Sequence, residues 1–222
     1  MVKFGALGLY RTVLLQATPT CGYVLVACCT LAILEATFRL LAQRDLKRIV
    51  ALTTVIELNW AGVCIGLGGS AFDQVAAFIL VAHSFTTAAE FFCVECVYRR
   101  FGTRDIAAVA GVAYTAPHLF QGLFLTLLTT VGFPATSLFA AKFFFFTALA
   151  PISTLLCGGY ALVFILILPV IFIRVWGPVW FGQPQGGTPL VDLTAREGAV
   201  LLSTIIGSLC LGLWPAIAIG AA

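Results

Sequence analysis

The amino-acid sequence predicts an all-α integral membrane protein of about seven transmembrane helices, one of them discontinuous. Three observations carry that reading. Of the 222 residues, 61% are hydrophobic and 9% charged, and the mean hydropathy of +1.09 leaves too little polar surface to coat a water-soluble globule. The apolar runs have helical lengths and lack the apolar–polar alternation of barrel strands. One run is interrupted by Gly132-Phe-Pro134-Ala-Thr and then resumes, the pattern of two half-helices joined by an unwound turn, because proline cannot donate a helix hydrogen bond. Residues 1–222 read as a single transmembrane domain.

Taken in order, residues 2–16 form a short first helix closed by Pro19. No small-residue cleavage site marks the stretch as a removable signal. Residues 20–43 are long enough to cross about 30 Å of hydrocarbon and place Glu35 and Arg39 one turn apart, where they can neutralise each other or serve function. The link Arg44-Asp45-Leu46-Lys47-Arg48 suits only a tight antiparallel reversal. The next helix, 47–67, has Glu57 near its middle and ends at Gly68-Gly69-Ser70. Helix 71–98 carries His83, Glu90 and Glu95. His83 and Glu90 are two turns apart on nearly one face, which should look inward. A basic link at 99–105 and a glycine- and alanine-rich amphipathic piece lead to the broken helix, 117–149, with Gly132 and Pro134 at the break and Lys142 about two turns beyond it. Helix 152–176, with a kink expected at Pro169, is followed by the loop GPVWFGQPQGGTPLVDLTARE, and helix 198–219 closes the chain.

Charge placement tests this topology. If the broken helix crosses once, the basic clusters at 44–48 and 99–104, with Arg174 and Arg196, fall on one side, while the loops at 67–72 and 149–152 have no basic residue. The positive-inside rule then puts the basic side in the cytoplasm or matrix.

An ammonium near the bilayer centre costs roughly 2.5–3.5 kcal/mol. Lys142 should therefore face the bundle interior or a hydrated path; the alternative is a lysine snorkelling to an interface. Lys3, Glu35, Arg39, Glu57, His83, Glu90, Glu95 and Lys142 all fall at membrane depth. Two signs of charge and a histidine that titrates near neutrality suit an ion or proton relay. Separate structural pairs are the other reading, and Glu95, near a helix end, fits that one best.

Other chemistries find little support. The eight cysteines read as small apolar fillers, and Cys93 and Cys96 in CVEC lack the second pair or nearby histidines of a metal site. There is no phosphate loop, zinc spacing or nucleophile elbow, and His83 and His118 are not arranged as a haem-ligating pair. Basic tracts interleaved with aromatics are lacking, which argues against a nucleic-acid partner.

Several segments then suggest a family. AQRDLKRIVALTTV at 42–55, LVAHSFTTAAEFF at 80–92, YRRFGTRDI at 98–106, GFPATSLFAAKF at 132–143 and the late DLTAREGAVLL and LGLWPAI together resemble, in order, the proton-pumping antiporter-like subunits of respiratory complex I, the membrane-bound NADH:ubiquinone oxidoreductase. AHSFTTA, the TRDI link and the late matches are most similar to the subunit 4 branch. The opening VKFGALGLYR resembles the family segment holding the central lysine of the relay. The resemblance implies half of a fourteen-helix antiporter-like fold, the carboxy-terminal half, with the amino-terminal half supplied by a separate polypeptide or lost by truncation.

By the same resemblance, Lys3 would hold a proton at the centre, His83 would relay it and Lys142 would pass it on through the helix break. Glu35, Arg39, Glu57 and Glu90 are accessory charges. Lys142 stands where the subunit 4 branch usually has glutamate and the subunit 2 and 5 branches have lysine, and Glu57 replaces a common histidine. The implied protein is a non-redox membrane-arm subunit of the inner mitochondrial membrane or, as a second choice, a bacterial plasma membrane. No cofactor is expected on this chain: NADH, FMN, iron–sulfur clusters and ubiquinone would belong to partner subunits, with lipids around the helices. A subunit of a multisubunit sodium/proton antiporter, and a scaffold remnant without a working relay, stay open.

Overall fold

The computed structural model describes Gly5, Gly8 and residues 19–183 and 191–216. The expected first helix, 2–16, with Lys3, lies outside the described residues apart from Gly5 and Gly8, as do residues 217–219 of the expected last helix.

The helices, in chain order, are α1 Pro19–Ala42, α2 Leu46–Leu67, α3 Ser70–Phe101, α4 Val112–Thr115, α5 Pro117–Val131, α6 Ser137–Leu149, α7 Thr154–Ala161, α8 Leu168–Phe181 and α9 Ala195–Leu213. A π-helical segment, Leu162–Ile167, joins α7 to α8. Among the described residues, five helical stretches are long and apolar enough to cross a membrane: Thr20–Ala42, Leu46–Leu67, Ser70–Phe101, Thr154–Phe181 and Ala195–Leu213. The half-helices α5 and α6 together make a further crossing.

Small residues set the closest contact. A Cβ on Gly66 would lie 2.8 Å from Val26 Cγ2, and one on Gly62 would lie 2.6 Å from Cys29 Sγ, so α1 and α2 approach through a glycine seam of the kind that serves helix packing where the hydrophobic effect is weak. Asp45 caps α2, accepting from the Lys47 and Arg48 amides at 2.8 and 3.1 Å. The two basic links are stitched together: the Leu46 amide donates to Arg104 O (3.0 Å) and the Ile106 amide to Arg44 O (2.9 Å).

This stitching decides the topology. Arg44 and Arg174 line one cavity, and Arg100 pairs with Glu197 beside Arg196. The basic residues thus gather at one end, while Ala71, Gln74 and Val75 at the start of α3 meet Phe144, Thr147 and Ala148 of α6 at the other. The broken helix crosses once.

Three boundaries differ from the sequence reading. The helix expected to end at 176 continues to Phe181, because Trp180 and Phe181 pack onto Phe120 of α5 and that burial outweighs Pro178. The irregularity expected at Pro169 is the π-helical segment on its amino-terminal side. The last helix begins at Ala195 rather than 198, fixed by a capping box between Thr194 and Glu197, and ends at Leu213, since the residue before Pro215 disfavours helical ψ. Of the amphipathic piece before Pro117, only Val112–Thr115 is helical.

Candidate functional site

The break between α5 and α6 organises the site. Gly132 closes α5 in the left-handed region (φ 80°), its amide donating to Leu128 O, and the Phe133 amide bonds the same carbonyl at 2.9 Å. Ala135 also takes a positive φ of 77°, unusual for a residue with a Cβ. Two groups from α9 hold this backbone: Ser208 Oγ lies 2.8 Å from Ser137 Oγ, and Gly212 packs directly on the Ala135 and Thr136 main chain, where a Cβ would collide.

Lys142, buried at 7% exposure, turns back toward the break. Its Nζ donates to Val131 O at 2.6 Å, a carbonyl at the carboxy-terminal end of α5, where helix carbonyls lack intrahelical partners and the dipole is negative. The ammonium also lies 5.7 Å from the Phe164 ring centroid, within cation–π range. It borders a cavity of about 580 Å³ shared with Gly132, Phe133, Pro134, Phe139 and Phe164. The snorkelling alternative does not describe this lysine.

Two carboxylates stand behind it. Glu57, halfway along α2 and 3% exposed, lies one turn beyond Thr53, whose hydroxyl reaches Glu90, and its charge acts on Lys142. Its Oε2 is buried without a hydrogen-bond partner, as is Trp60 Nε1 one turn on. Glu90, 6% exposed, accepts from Thr130 Oγ1 of α5 at 2.8 Å and from Thr53 Oγ1 of α2 at 3.4 Å. Two helices, α2 and α3, and the broken one therefore converge on a Glu90–Glu57–Lys142 cluster. His83, on α3 two turns from Glu90, is 2% exposed, with the Thr87 hydroxyl 2.8 Å from Nε2 and 3.1 Å from Nδ1.

The remaining charges separate from this set. Glu35 and Arg39 pair with each other on the outer face of α1, with side chains 60% and 64% exposed, the mutual neutralisation that their spacing allows. Glu95 pairs with Arg99 on an exposed surface at 3.0 Å, the structural role expected of it. In CVEC, Cys93 meets Thr126 Oγ1 at 3.6 Å and Cys96 meets Glu197 at 3.8 Å, and among the described residues no group of His, Cys, Asp and Glu could hold a metal.

At the basic end lies a second polar cluster that the sequence reading did not single out. Arg100 donates to Glu197 Oε2 (2.6 Å), Val191 O (2.7 Å), Asp192 O and Cys96 O (both 3.0 Å). Asp192 accepts from the His118 and Leu119 amides at 2.9 Å, supplying the start of α5 with the cap its own sequence lacks. Burial works against ionisation of Asp192, but the His118, Leu193 and Leu119 amides and the His118 ring hold its carboxyl below the ordinary value.

With this geometry in view, comparison with known proteins is specific. The family model described as NADH:quinone oxidoreductase/Mrp antiporter, transmembrane, matches residues 1–171. The chain belongs to this family. It is 30% identical over 148 residues to NADH-ubiquinone oxidoreductase chain 4 of Acanthamoeba castellanii, covering 64% of this chain and 29% of that protein. It is 26% identical over 188 residues to NADH-quinone oxidoreductase subunit M of Rhodobacter capsulatus, covering 84% and 36%. Its fold is similar to a chain of respiratory complex I from Thermus thermophilus (TM-score 0.80, 19% identity, 90% of this chain and 42% of that one). It is equally similar to a chain of the Mrp complex from Dietzia sp. (TM-score 0.80, 17% identity, 89% and 45%). The chain spans less than half the length of these relatives.

Thr53, Thr87 and Thr130, which solvate the buried charges, escaped the sequence reading. Their one visible signal is hydroxyl residues inside otherwise apolar helices, which equally serve back-bonding to the preceding turn.

Proposed function

We propose that this chain is part of a proton-translocating, antiporter-like subunit in the membrane arm of an NADH:quinone oxidoreductase, with electron transfer confined to partner subunits. The observation that carries the reading is Lys142: a buried ammonium bound to the carboxy-terminal carbonyl of a half-helix, beside a cavity and within electrostatic reach of the buried Glu57 carboxylate. A lysine so placed can change its proton occupancy when its hydration or the charge beside it changes. Lys3, His83 and Lys142 form the proposed relay, with Glu57 and Glu90 attached to it. The inner mitochondrial membrane is the proposed location, and relatives of the mitochondrial and bacterial types are both consistent with an energy-coupling membrane.

The test is Lys142→Ala in the assembled complex reconstituted into vesicles. Proton uptake driven by NADH oxidation should fall while the subunit still assembles; uptake at the unmodified level would overturn the proposal. A second reading, a subunit of a sodium/proton antiporter, is favoured by the likeness to the Mrp chain. Co-purification separates the two, since flavin and iron–sulfur subunits should accompany the chain only in the first.

A further inference from the structure

The surroundings of Glu90 go beyond a general set of accessory charges, and a specific role for this residue rests on the proposed relay. Two buried carboxylates and one buried ammonium share this interior: Thr53, one turn before Glu57 on α2, reaches Glu90, and the charge of Glu57 acts on Lys142. Ionised together, the three would leave a net negative charge in a low-dielectric interior, where unpaired charge is severely penalised. One proton must therefore be distributed over the carboxylate pair, and such a pair titrates as a unit.

The hydrogen bonds around Glu90 suit both of its protonation states. A threonine hydroxyl has one proton to donate and two lone pairs with which to accept. Thr130 Oγ1 has two acceptors in reach, Glu90 Oε1 at 2.8 Å and Thr126 O at 3.1 Å. Thr53 Oγ1 likewise has Glu90 Oε2 at 3.4 Å and Val50 O at 2.8 Å. When Glu90 is a carboxylate, both hydroxyls turn to it as donors. When it is a carboxylic acid, its own O–H on Oε1 donates to Thr130 Oγ1, Thr130 turns its proton to Thr126 O, and Thr53 keeps donating to Oε2. Both oxygens of Glu90 are paired in either state, and a single hydroxyl rotation, at Thr130, separates them. Glu57 lacks this provision, since its Oε2 has no partner.

We propose that Glu90 is a proton-holding station of the translocation path, exchanging one proton with Glu57, with Thr130 as the hydroxyl that rotates between its two states and Thr53 as the donor that serves both. In the exchange, an O–H bond on Glu57 breaks and one on Glu90 forms, leaving the Glu57 carboxylate to pair with the Lys142 ammonium. The return step restores the proton to Glu57 and leaves a Glu90 carboxylate held by both threonines. The charged and titratable groups that face this site are Glu57 from α2, Lys142 from α6, and His83 and Cys93 from α3 itself; α5 contributes Thr130, and the nearest acidic group on α9 is Glu197, beside Cys96.

The experiment uses the complete complex in vesicles, with NADH-driven proton uptake and infrared difference spectra recorded across pH. Glu90→Gln keeps the shape and hydrogen-bonding capacity but cannot carry the proton. It should assemble, lose several-fold in proton uptake and lack a pH-dependent carboxylic C=O band present in the unmodified complex. Thr130→Val should retain that band at a shifted frequency and displace the pH profile of uptake. Normal uptake with the band intact in Glu90→Gln overturns the proposal. If Glu90→Gln does not assemble, Thr130→Val decides, and an unchanged band and profile overturn it. Lys142→Ala separates the two levels of inference: lost uptake there with normal uptake in Glu90→Gln defeats this proposal alone, whereas normal uptake in both defeats the relay reading with it.

Discussion

Replacing Lys142 by methionine should abolish its part in proton transfer at almost no cost in stability, and the structure gives the opposing contributions. Removing a buried ammonium relieves roughly 2.5–3.5 kcal/mol of membrane burial penalty. Against this, the charge-assisted bond to Val131 O is lost, worth about 1.5–3 kcal/mol. Methionine retains the apolar stem against Phe164 and Phe139 and is close to lysine in length, so packing loss is small. Glu57, left without its cation, is relieved by taking up a proton rather than remaining a lone buried charge. The contributions cancel to within about 2 kcal/mol. The assay compares subunit abundance in the purified complex and its resistance to graded denaturing detergent with NADH-driven proton uptake in vesicles. Normal assembly with depressed uptake is expected. Loss of assembly would refute the energetic reasoning, since the lysine would then be a structural anchor, and normal uptake would refute the functional one.

Other perturbations probe the scaffold around that lysine. Gly212→Ala drives a methyl into the Ala135 and Thr136 backbone and should destabilise the subunit by about 1–3 kcal/mol, seen as reduced detergent resistance. Ala135→Gly, by contrast, relieves a φ of 77° and should stabilise by about 1 kcal/mol in the same measurement. Glu197→Ala strips Arg100 of its 2.6 Å partner and α9 of its capping box; a loss of about 3 kcal/mol is expected, with Glu197→Gln losing less because the amide still accepts from Thr194. Because the folded-state carboxyl of Asp192 lies below its ordinary value, the stability it contributes is complete above the unfolded carboxylate range, near pH 4, and is lost as pH falls further toward the folded value. Limited proteolysis of the 191–194 segment should therefore rise only in acid, and Asp192→Asn should be cut readily at neutral pH.

The sequence by itself determined the membrane class, the helix order and the break. Each follows from local chemistry: apolar runs long enough to span hydrocarbon, glycine pairs that end helices, and a proline that cannot continue one. It also singled out Lys142, because a lysine among phenylalanines is costly wherever it goes. Only the tertiary structure decided where the remaining charges point. Glu35, Glu57 and Glu90 are all acids set within apolar helices. Yet Glu35 turns outward to Arg39, while Glu57 and Glu90 turn inward to share an environment with Lys142. The helical face of a residue in an apolar helix is not legible from periodicity, because lipid and protein interior are equally apolar and the pattern carries little contrast. The capping of α5 by Asp192 and the two-way hydroxyls at Thr130 and Thr53 were likewise settled by neighbours distant in sequence, brought into hydrogen-bond reach only when the helices packed.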